Sequence, residues 1–283
     1  MLNDADIWKS LTATSRLSLI AGPCVIESEA LCLKVAAAMK KTCDRLGIFY
    51  VFKASFDKAN RTSAKTPRGP GLEAGLAALA KVRQKIGVPV LTDVHTETQA
   101  TLAGEVVDIL QIPAFLCRQT DLIEAAALTG QIVNLKKGQF LSPLEMGQVI
   151  EKAKSAGAKK ILVTERGTTF GYNNLVSDMR SIPILKRFGC PVIFDATHSV
   201  QLPSSAQADG DKPAVSGGQP EFIPVLSRAA VAAGVDGVFM EVHDSPKEAK
   251  SDGANALDTR NLRGLLKELQ AVRRALDVAH ITP

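Results

Sequence analysis

Residues 132–165 read IVNLKKGQFLSPLEMGQVIEKAKSAGAKKILVTE. An apolar run at 132–136 passes into a polar turn that contains glycine. Residues 144–156 then carry apolar side chains at helical spacing, Gly157 follows, and a second apolar run fills 160–165. Continuous Val, Ile and Leu suit parallel strands covered on both faces, and glycine just past a helix is a stop signal. The stretch is a strand–helix–strand unit. The same alternation runs outward in both directions. Strands are predicted at 17–21, 48–53, 88–93, 108–112, 132–136, 160–165, 191–196 and 237–241, with helix-like segments such as 73–86 and 221–233 between them. Gly47, Gly87, Gly189 and Gly234 close further helices. Eight strands and eight helices predict a single-domain (β/α)8 TIM barrel over 17–283, behind a short N-terminal extension at 1–16. An open doubly wound sheet would place GxGxxG after the first strand, whereas that turn reads Ala21-Gly22-Pro23-Cys24. The least regular stretch is 199–220, rich in Ser, Ala, Gly, Asp and Pro, and reads as a mobile active-site loop or a disordered surface insertion.

The 283 residues suffice for one large barrel, and 46% hydrophobic with 22% charged residues is ordinary for a globular chain. The net charge of +5 is spread along the chain. Nucleic-acid binding would need a concentrated basic stripe, so a basic pocket for small anions fits better and no nucleic-acid partner is expected. Cys24, Cys32, Cys43, Cys117 and Cys190 are odd in number and widely spaced, without CxxC. That argues against a disulfide framework and for a reducing compartment. The start, MLNDADIWKSLT, lacks the basic and apolar regions of a signal peptide, and no apolar window approaches the length of a span. A cytoplasmic location without membrane attachment is the expectation.

Barrel enzymes place their chemistry at the C-terminal ends of the strands. Those positions here hold Cys24, then Lys53 with Lys58, Asn60 and Arg61, then Asp93 and His95, then Gln111 with Pro113-Ala114-Phe115. Lys136-Lys137, Arg166, His198 and Glu241 with Asp252 follow. Polar groups stand at all eight ends while the lower halves of the strands are apolar, which points to an enzyme. Lys53, Lys58, Arg61, Lys136 and Arg166 form a basic group. Five cations without anions would repel one another, so phosphate and carboxylate groups of ligands are expected among them. Cys24, His198, Glu241 and Asp252 offer donors for a divalent metal ion. Spacing alone leaves open whether they bind metal. Cys24 could be a packed small residue, His198 a structural or general-base histidine, and Asp252 a turn residue. GxSxG, Walker A and HExxH are absent, which removes the common hydrolase, nucleotide-loop and zincin readings.

Several motifs resemble the 3-deoxy-D-manno-octulosonate 8-phosphate synthase family. They are Phe52-Lys53-Ala54-Ser55-Phe56-Asp57-Lys58-Ala59-Asn60-Arg61-Thr62-Ser63, Gln111-Ile112-Pro113-Ala114-Phe115 and Asn134-Leu135-Lys136-Lys137-Gly138-Gln139-Phe140. Arg166-Gly167 with Phe170-Gly171-Tyr172-Asn173-Asn174-Leu175, Asp195-Ala196-Thr197-His198-Ser199 and Ser251-Asp252-Gly253 complete the set. The resemblance implies a (β/α)8 barrel, a homotetramer, and condensation of phosphoenolpyruvate with arabinose 5-phosphate and water, releasing inorganic phosphate. The product would feed lipopolysaccharide synthesis. It further implies that Lys53, Lys58, Gln111, Lys136 and Arg166 hold phosphoenolpyruvate with help from Ala114 and Phe115. Asn60, Arg61 and Thr62 would receive the pentose phosphate, and Asp93 would hold the sugar or order water. Lys58, Asp93, Lys136 and His198 are the candidates for direct catalytic roles. One branch of the family has a metal-ligating Cys after Gly-Pro where the other has Asn. Cys24 places this chain in the metal branch, with one divalent ion (Zn, Fe, Mn or Co) on Cys24, His198, Glu241 and Asp252. The nearest rival is 3-deoxy-D-arabino-heptulosonate 7-phosphate synthase, which uses erythrose 4-phosphate and typically carries Lys-Pro-Arg-Thr-Ser where this chain has Asn60 before Arg61. A non-catalytic phosphosugar-binding barrel would keep the cations but would not need the Cys/His/Glu/Asp set.

Overall fold

A computed structural model describes residues 2–13, 16–59, 67–206 and 215–278. Eight parallel strands form the barrel: β1 Ser18–Gly22, β2 Phe49–Lys53, β3 Val90–Asp93, β4 Ile109–Ile112, β5 Ile132–Lys136, β6 Ile161–Glu165, β7 Val192–Asp195 and β8 Gly237–His243. Each pairs with the next, and β1 pairs with β8 from Ser18↔Gly237 to Gly22↔Glu241, which closes the cylinder. Nine helices are described: α1 Asp4–Leu11, α2 Glu29–Leu46, α3 Leu72–Ile86, α4 Glu97–Gly104, α5 Thr120–Leu128, α6 Met146–Ser155, α7 Ser181–Lys186, α8 Ile223–Ala232 and α9 Leu262–Val278. One of α2–α9 follows each strand, as the alternation predicts.

Local chemistry sets the element ends. The Ser28 side chain caps α2 by accepting from Leu31 N, and Thr96 caps α4 by accepting from Gln99 N. Gly47 and Gly87, in the left-handed conformation, close α2 and α3. At the other face of the design, Gly22 is required by proximity: a Cβ there would lie 2.0 Å from the Lys53 carbonyl oxygen. The first two strands approach each other at the site because β1 ends on a residue without a side chain.

Strand alternation sorts the side chains into an outer core beneath the helices and an inner column. The inner column has an apolar floor with one residue from every strand: Ile20, Val51, Leu91, Ile109, Ile132, Leu162, Ile193 and Phe239. Ile7 and Leu11, one helical turn apart on α1, pack into this floor with essentially no exposed surface. The N-terminal extension is thus in part a helix that corks the lower end of the barrel. Its start is fixed by Asn3, whose side chain accepts from Asp6 N.

Two similar braces hold the lower rim. Asp108 accepts from Val90 N at 2.9 Å and pairs with Arg83 of α3 at 2.8 Å. Four strands on, Asp236 accepts from Val192 N at 2.8 Å and pairs with Lys186 of α7 at 3.0 Å.

The 199–220 segment departs from the irregular loop expected. His198–Val200 forms a 3-10 turn, and Gln201–Ala206 pairs antiparallel with Val215–Gly218. Residues 207–214 lie outside the described residues. Two-residue strands Thr168–Thr169 and Leu175–Val176 make a second small hairpin beyond β6.

Candidate active site

Two residues beyond each floor position stand Gly22, Lys53, Asp93, Gln111, Asn134, Thr164, Asp195 and Glu241. The period of a strand turns all of them toward the barrel axis, so the apolar floor gives way abruptly to a polar layer. Lys136 and Arg166 enter the same space from two residues higher on β5 and β6. All of these polar side chains are buried.

The layer is a network of opposite charges. Lys53 Nζ lies 3.2 Å from Glu241 Oε1 and 3.6 Å from Asp93 Oδ2. Lys58 Nζ is 3.9 Å from Glu241 Oε1, and Lys136 Nζ is 2.5 Å from Asp195 Oδ2. The cations predicted at the strand ends therefore do not stand alone. Carboxylates of the protein are interleaved with them, which corrects the expectation that ligand anions alone hold them together. Phe239 lies below, its ring centroid 4.1 Å from Lys136 Nζ, so the floor also stabilises the cation.

Burial and neighbouring charge compete at each group. Burial would raise the Asp93 carboxyl, but Lys53, Lys58, Lys136 and the Gln111 hydrogen bond hold it well below the usual carboxylate range. Burial likewise opposes ionisation of Asp195, where His198, Lys136 and Arg166 prevail and hold it low. Burial lowers Lys136 and Arg166 despite the nearby carboxylates. It also works against the Lys58 ammonium, but Cys24, Glu241, Asp93 and Asp252 outweigh it and raise that group.

A ladder of neutral groups runs along one wall. Gln111 Nε2 donates to Asp93 Oδ1 at 2.6 Å, Asn134 Nδ2 donates to Gln111 Oε1 at 2.8 Å, and Thr164 Oγ1 donates to Asn134 Oδ1 at 2.8 Å. Ser55 Oγ donates to Asp93 Oδ2. Gln111 and Ser55 together hold both oxygens of the Asp93 carboxylate.

The donors proposed for metal lie on the other wall. Cys24 Sγ, a Glu241 oxygen and an Asp252 oxygen all fall within 4.8 Å of one another. His198 falls outside this group of three and adjoins it through Glu241, its Nε2 lying 3.7 Å from Glu241 Oε1. Its Nδ1 faces Asp195 Oδ2 at 2.8 Å, which orients the ring with Nε2 toward Glu241. Asp252 adopts a left-handed backbone with φ 48°, which short Asp tolerates better than most residues. Burial, then Asp252 and Glu241, push the Cys24 thiol well up. Glu241 Oε2 is buried without a hydrogen-bond partner among the described residues. A soft sulfur, an imidazole nitrogen and two carboxylates with one oxygen unsatisfied fit a divalent ion.

Arg166 offers the complementary group. Its Nη2 donates to Gln201 Oε1 at 3.1 Å, while the buried Nε has no partner among the described residues. An unmatched guanidinium donor suits an anion.

The structure thus brings together Cys24, Lys53, Lys58, Asp93, Gln111, Lys136, Arg166, His198, Glu241 and Asp252. Ala114 and Phe115 sit in a 3-10 turn just beyond β4, the first buried and the second exposed. Asn60, Arg61 and Thr62 lie outside the described residues. Sequence reasoning missed Ser55, Asn134, Thr164, Asp195 and Thr197. The signal available was the two-residue period: a polar residue in phase with Lys53 or Glu241 on a neighbouring strand must share their layer. Thr197 Oγ1 accepts from Glu241 N at 2.8 Å and fixes that strand end.

Residues 11–278 match the sequence model of the DAHP synthetase I family. A 2-dehydro-3-deoxyphosphooctonate aldolase of Koribacter versatilis is 64% identical over 261 residues, covering 92% of each chain. Proteins of the same name from Cyanothece sp. and Rhodopseudomonas palustris are 57% and 60% identical, over 92% and 89% of this chain and 93% and 86% of their own.

Proposed function

Because the chain belongs to the DAHP synthetase I family, and its relatives share one name at high identity, we propose that it condenses phosphoenolpyruvate with D-arabinose 5-phosphate. Water adds, and the products are 3-deoxy-D-manno-octulosonate 8-phosphate and inorganic phosphate. The enzyme is a transferase of lipopolysaccharide precursor synthesis. The observation that carries the reading is the pair of unmatched buried groups, Arg166 Nε and Glu241 Oε2, one strand apart in one charged layer. The first suits an anion and the second a cation.

The residues divide the work by position. Lys53, Lys136 and Arg166 receive the phosphate and carboxylate of phosphoenolpyruvate and hold it against the rigid Phe239 floor. Placing reactants in attack geometry removes much of the barrier to joining two molecules. Positive charge develops at C2 of phosphoenolpyruvate as C3 attacks the aldehyde, and the fixed carboxylates Asp93 and Glu241 stabilise it without having to reorganise. Asp93, pinned by Gln111 and Ser55, stands where it can accept a hydrogen bond from the sugar or from the water that adds. Four cations, Lys53, Lys58, Lys136 and Arg166, meet four carboxylates, Asp93, Asp195, Glu241 and Asp252, in and beside this layer. The protein's own charges therefore nearly cancel, and a phosphorylated enolate needs further positive charge beside it. A divalent ion on Cys24, His198, Glu241 and Asp252 would supply that charge as a Lewis acid.

The chain works as a homotetramer in this reading. Phe115, Phe140, Phe170 and Tyr172, all exposed, provide apolar surface that a second copy would cover. We assign it to the cytoplasm, where five free, buried cysteines remain reduced. Among the described residues no helix is long and apolar enough to cross a membrane.

Phosphate release from phosphoenolpyruvate tests the reading, with arabinose 5-phosphate or erythrose 4-phosphate as acceptor, before and after chelation. Release with the pentose phosphate, lost on chelation and restored by Zn, Fe, Mn or Co, is expected. Release only with erythrose 4-phosphate would overturn the acceptor assignment. Full activity after complete metal removal, verified by elemental analysis, would overturn the metal.

A further inference from the structure

Lys136 and Arg166 face the barrel axis, and each has an ionic neighbour in the chain that faces the other way. Lys137 follows Lys136, Glu165 precedes Arg166, and both are buried. Lys137 exposes no surface, yet its ammonium is surrounded by oxygen. Nζ donates to the carbonyls of Gly138 at 3.3 Å, Leu141 at 3.1 Å and Gly167 at 3.1 Å, and to Thr168 Oγ1 at 3.1 Å. Glu165 Oε1 is 3.5 Å away. Three N–H bonds serving five oxygens describe a cation in a cage rather than a single pair.

The origin of those oxygens gives the cage its meaning. Gly138 and Leu141 belong to the loop leaving β5, and Gly167 and Thr168 to the loop leaving β6. Glu165 Oε1 also accepts from Arg166 N at 2.9 Å and Gly167 N at 2.6 Å. The loop after β5 opens immediately beyond Lys136 and the loop after β6 opens on Arg166. One buried ammonium and one carboxylate therefore tie together the two backbones that carry the anion-facing cations. A buried lysine is costly unless every donor is satisfied, and an apolar residue would pack beneath a helix at least as well. What the ion pair adds is a fixed distance between neighbouring strand ends.

We propose that Lys137 and Glu165 form a clasp behind the barrel wall that sets the separation of Lys136 and Arg166, making Lys137 a positioning residue for phosphoenolpyruvate. The proposal rests on the substrate reading above. A clasp that only stabilised the fold would alter the unfolding midpoint and leave the affinity of the folded enzyme unchanged.

The test uses the full chain with K137M, which keeps the stem and removes the charge, and with E165Q. Phosphoenolpyruvate binding is measured by titration calorimetry, and KM is measured for both substrates. The expected result is a rise of about tenfold or more in Kd and KM for phosphoenolpyruvate, with KM for arabinose 5-phosphate moving less than about threefold. Folded variants, judged by circular dichroism and gel filtration, that bind phosphoenolpyruvate like the parent overturn the proposal, as does an equal rise in both KM values. Should K137M and E165Q not fold, K137A refolded with ethylammonium carries the test, because that cation can re-enter the oxygen cage. Affinity for phosphoenolpyruvate restored by ethylammonium and not by tetramethylammonium supports the clasp, and failure of both ions to restore it overturns the clasp. If the parent protein itself takes up no phosphoenolpyruvate, the substrate reading falls first and this proposal with it.

Discussion

Replacing Lys53 by Met removes the cation at the centre of the polar layer while keeping a stem of similar length. Little packing is lost, so the cost is electrostatic. Lys53 Nζ stands 3.2 Å from Glu241 Oε1, 3.6 Å from Asp93 Oδ2 and 3.1 Å from the Cys24 carbonyl. Glu241 is fully buried and Asp93 nearly so. Removing one partner of a buried ion pair costs about 3–5 kcal/mol, because the other charge stays behind in a poor solvent. Lys58, at 3.9 Å from Glu241 Oε1, and the hydrogen bonds of Gln111 and Ser55 to Asp93 offset part of this. The expected loss is therefore near the lower limit, about 3 kcal/mol, or about 100-fold in the folding equilibrium. Urea unfolding at pH 7, followed by circular dichroism, reads this as a lower midpoint with an unchanged slope. Acid should narrow the difference. A carboxyl held below its ordinary pKa in the folded state contributes stability above its unfolded pKa, and that stability is lost as pH falls through the folded value. Asp93 is such a group, and without Lys53 its carboxyl moves back up. The parent then loses in acid a contribution that K53M lacks already, so the gap between the two should shrink as pH falls. A loss under about 1 kcal/mol with a gap unchanged by acid would refute the reasoning, because the carboxylates would then not depend on Lys53 for their charge.

Two further substitutions separate the ends of the barrel. Leu11→Ala leaves a cavity in the floor and should cost about 2–5 kcal/mol of stability while KM for phosphoenolpyruvate stays unchanged; chemical denaturation and steady-state kinetics check both halves. Gly218→Ala would put a Cβ 1.7 Å from Asn255 Oδ1, in the loop that carries Asp252. Cobalt(II) affinity measured by titration should fall about tenfold or more, while the thermal midpoint moves only a few degrees.

The barrel was legible in the sequence because its strands are buried on both faces, and such strands are unbroken Val/Ile/Leu runs with little else to resemble. The glycine stops were equally plain: Gly47, Gly87, Gly157, Gly189 and Gly234 all take positive φ. The N-terminal segment hid its role because Ile7 and Leu11 make too short a stripe to name the surface they cover. The hairpin around 201–218 hid because its strands are rich in Ser and Gly and owe their pairing to a neighbour rather than to propensity. The cations are visible at the strand ends, whereas Asp195 is not, since in the motif 195–199 the metal-donor chemistry of His198 draws the eye first. Asn134 and Thr164 were missed because neutral polar residues inside apolar strands look like tolerated exceptions. Their meaning depends on register, which pairs Asn134 with Gln111 and Leu162 with Asn134 across the wall.

The corked floor has a consequence for traffic. With Ile7 and Leu11 filling the lower end, the described residues leave the barrel its doorway at the ends of the strands. Both substrates, the water consumed and both products must pass it. In the proposed reaction, phosphate set free deep in the basin would leave past the same Lys and Arg side chains that are assigned to phosphoenolpyruvate. Entry and exit would then compete for one queue, and accumulated phosphate would obstruct its own source.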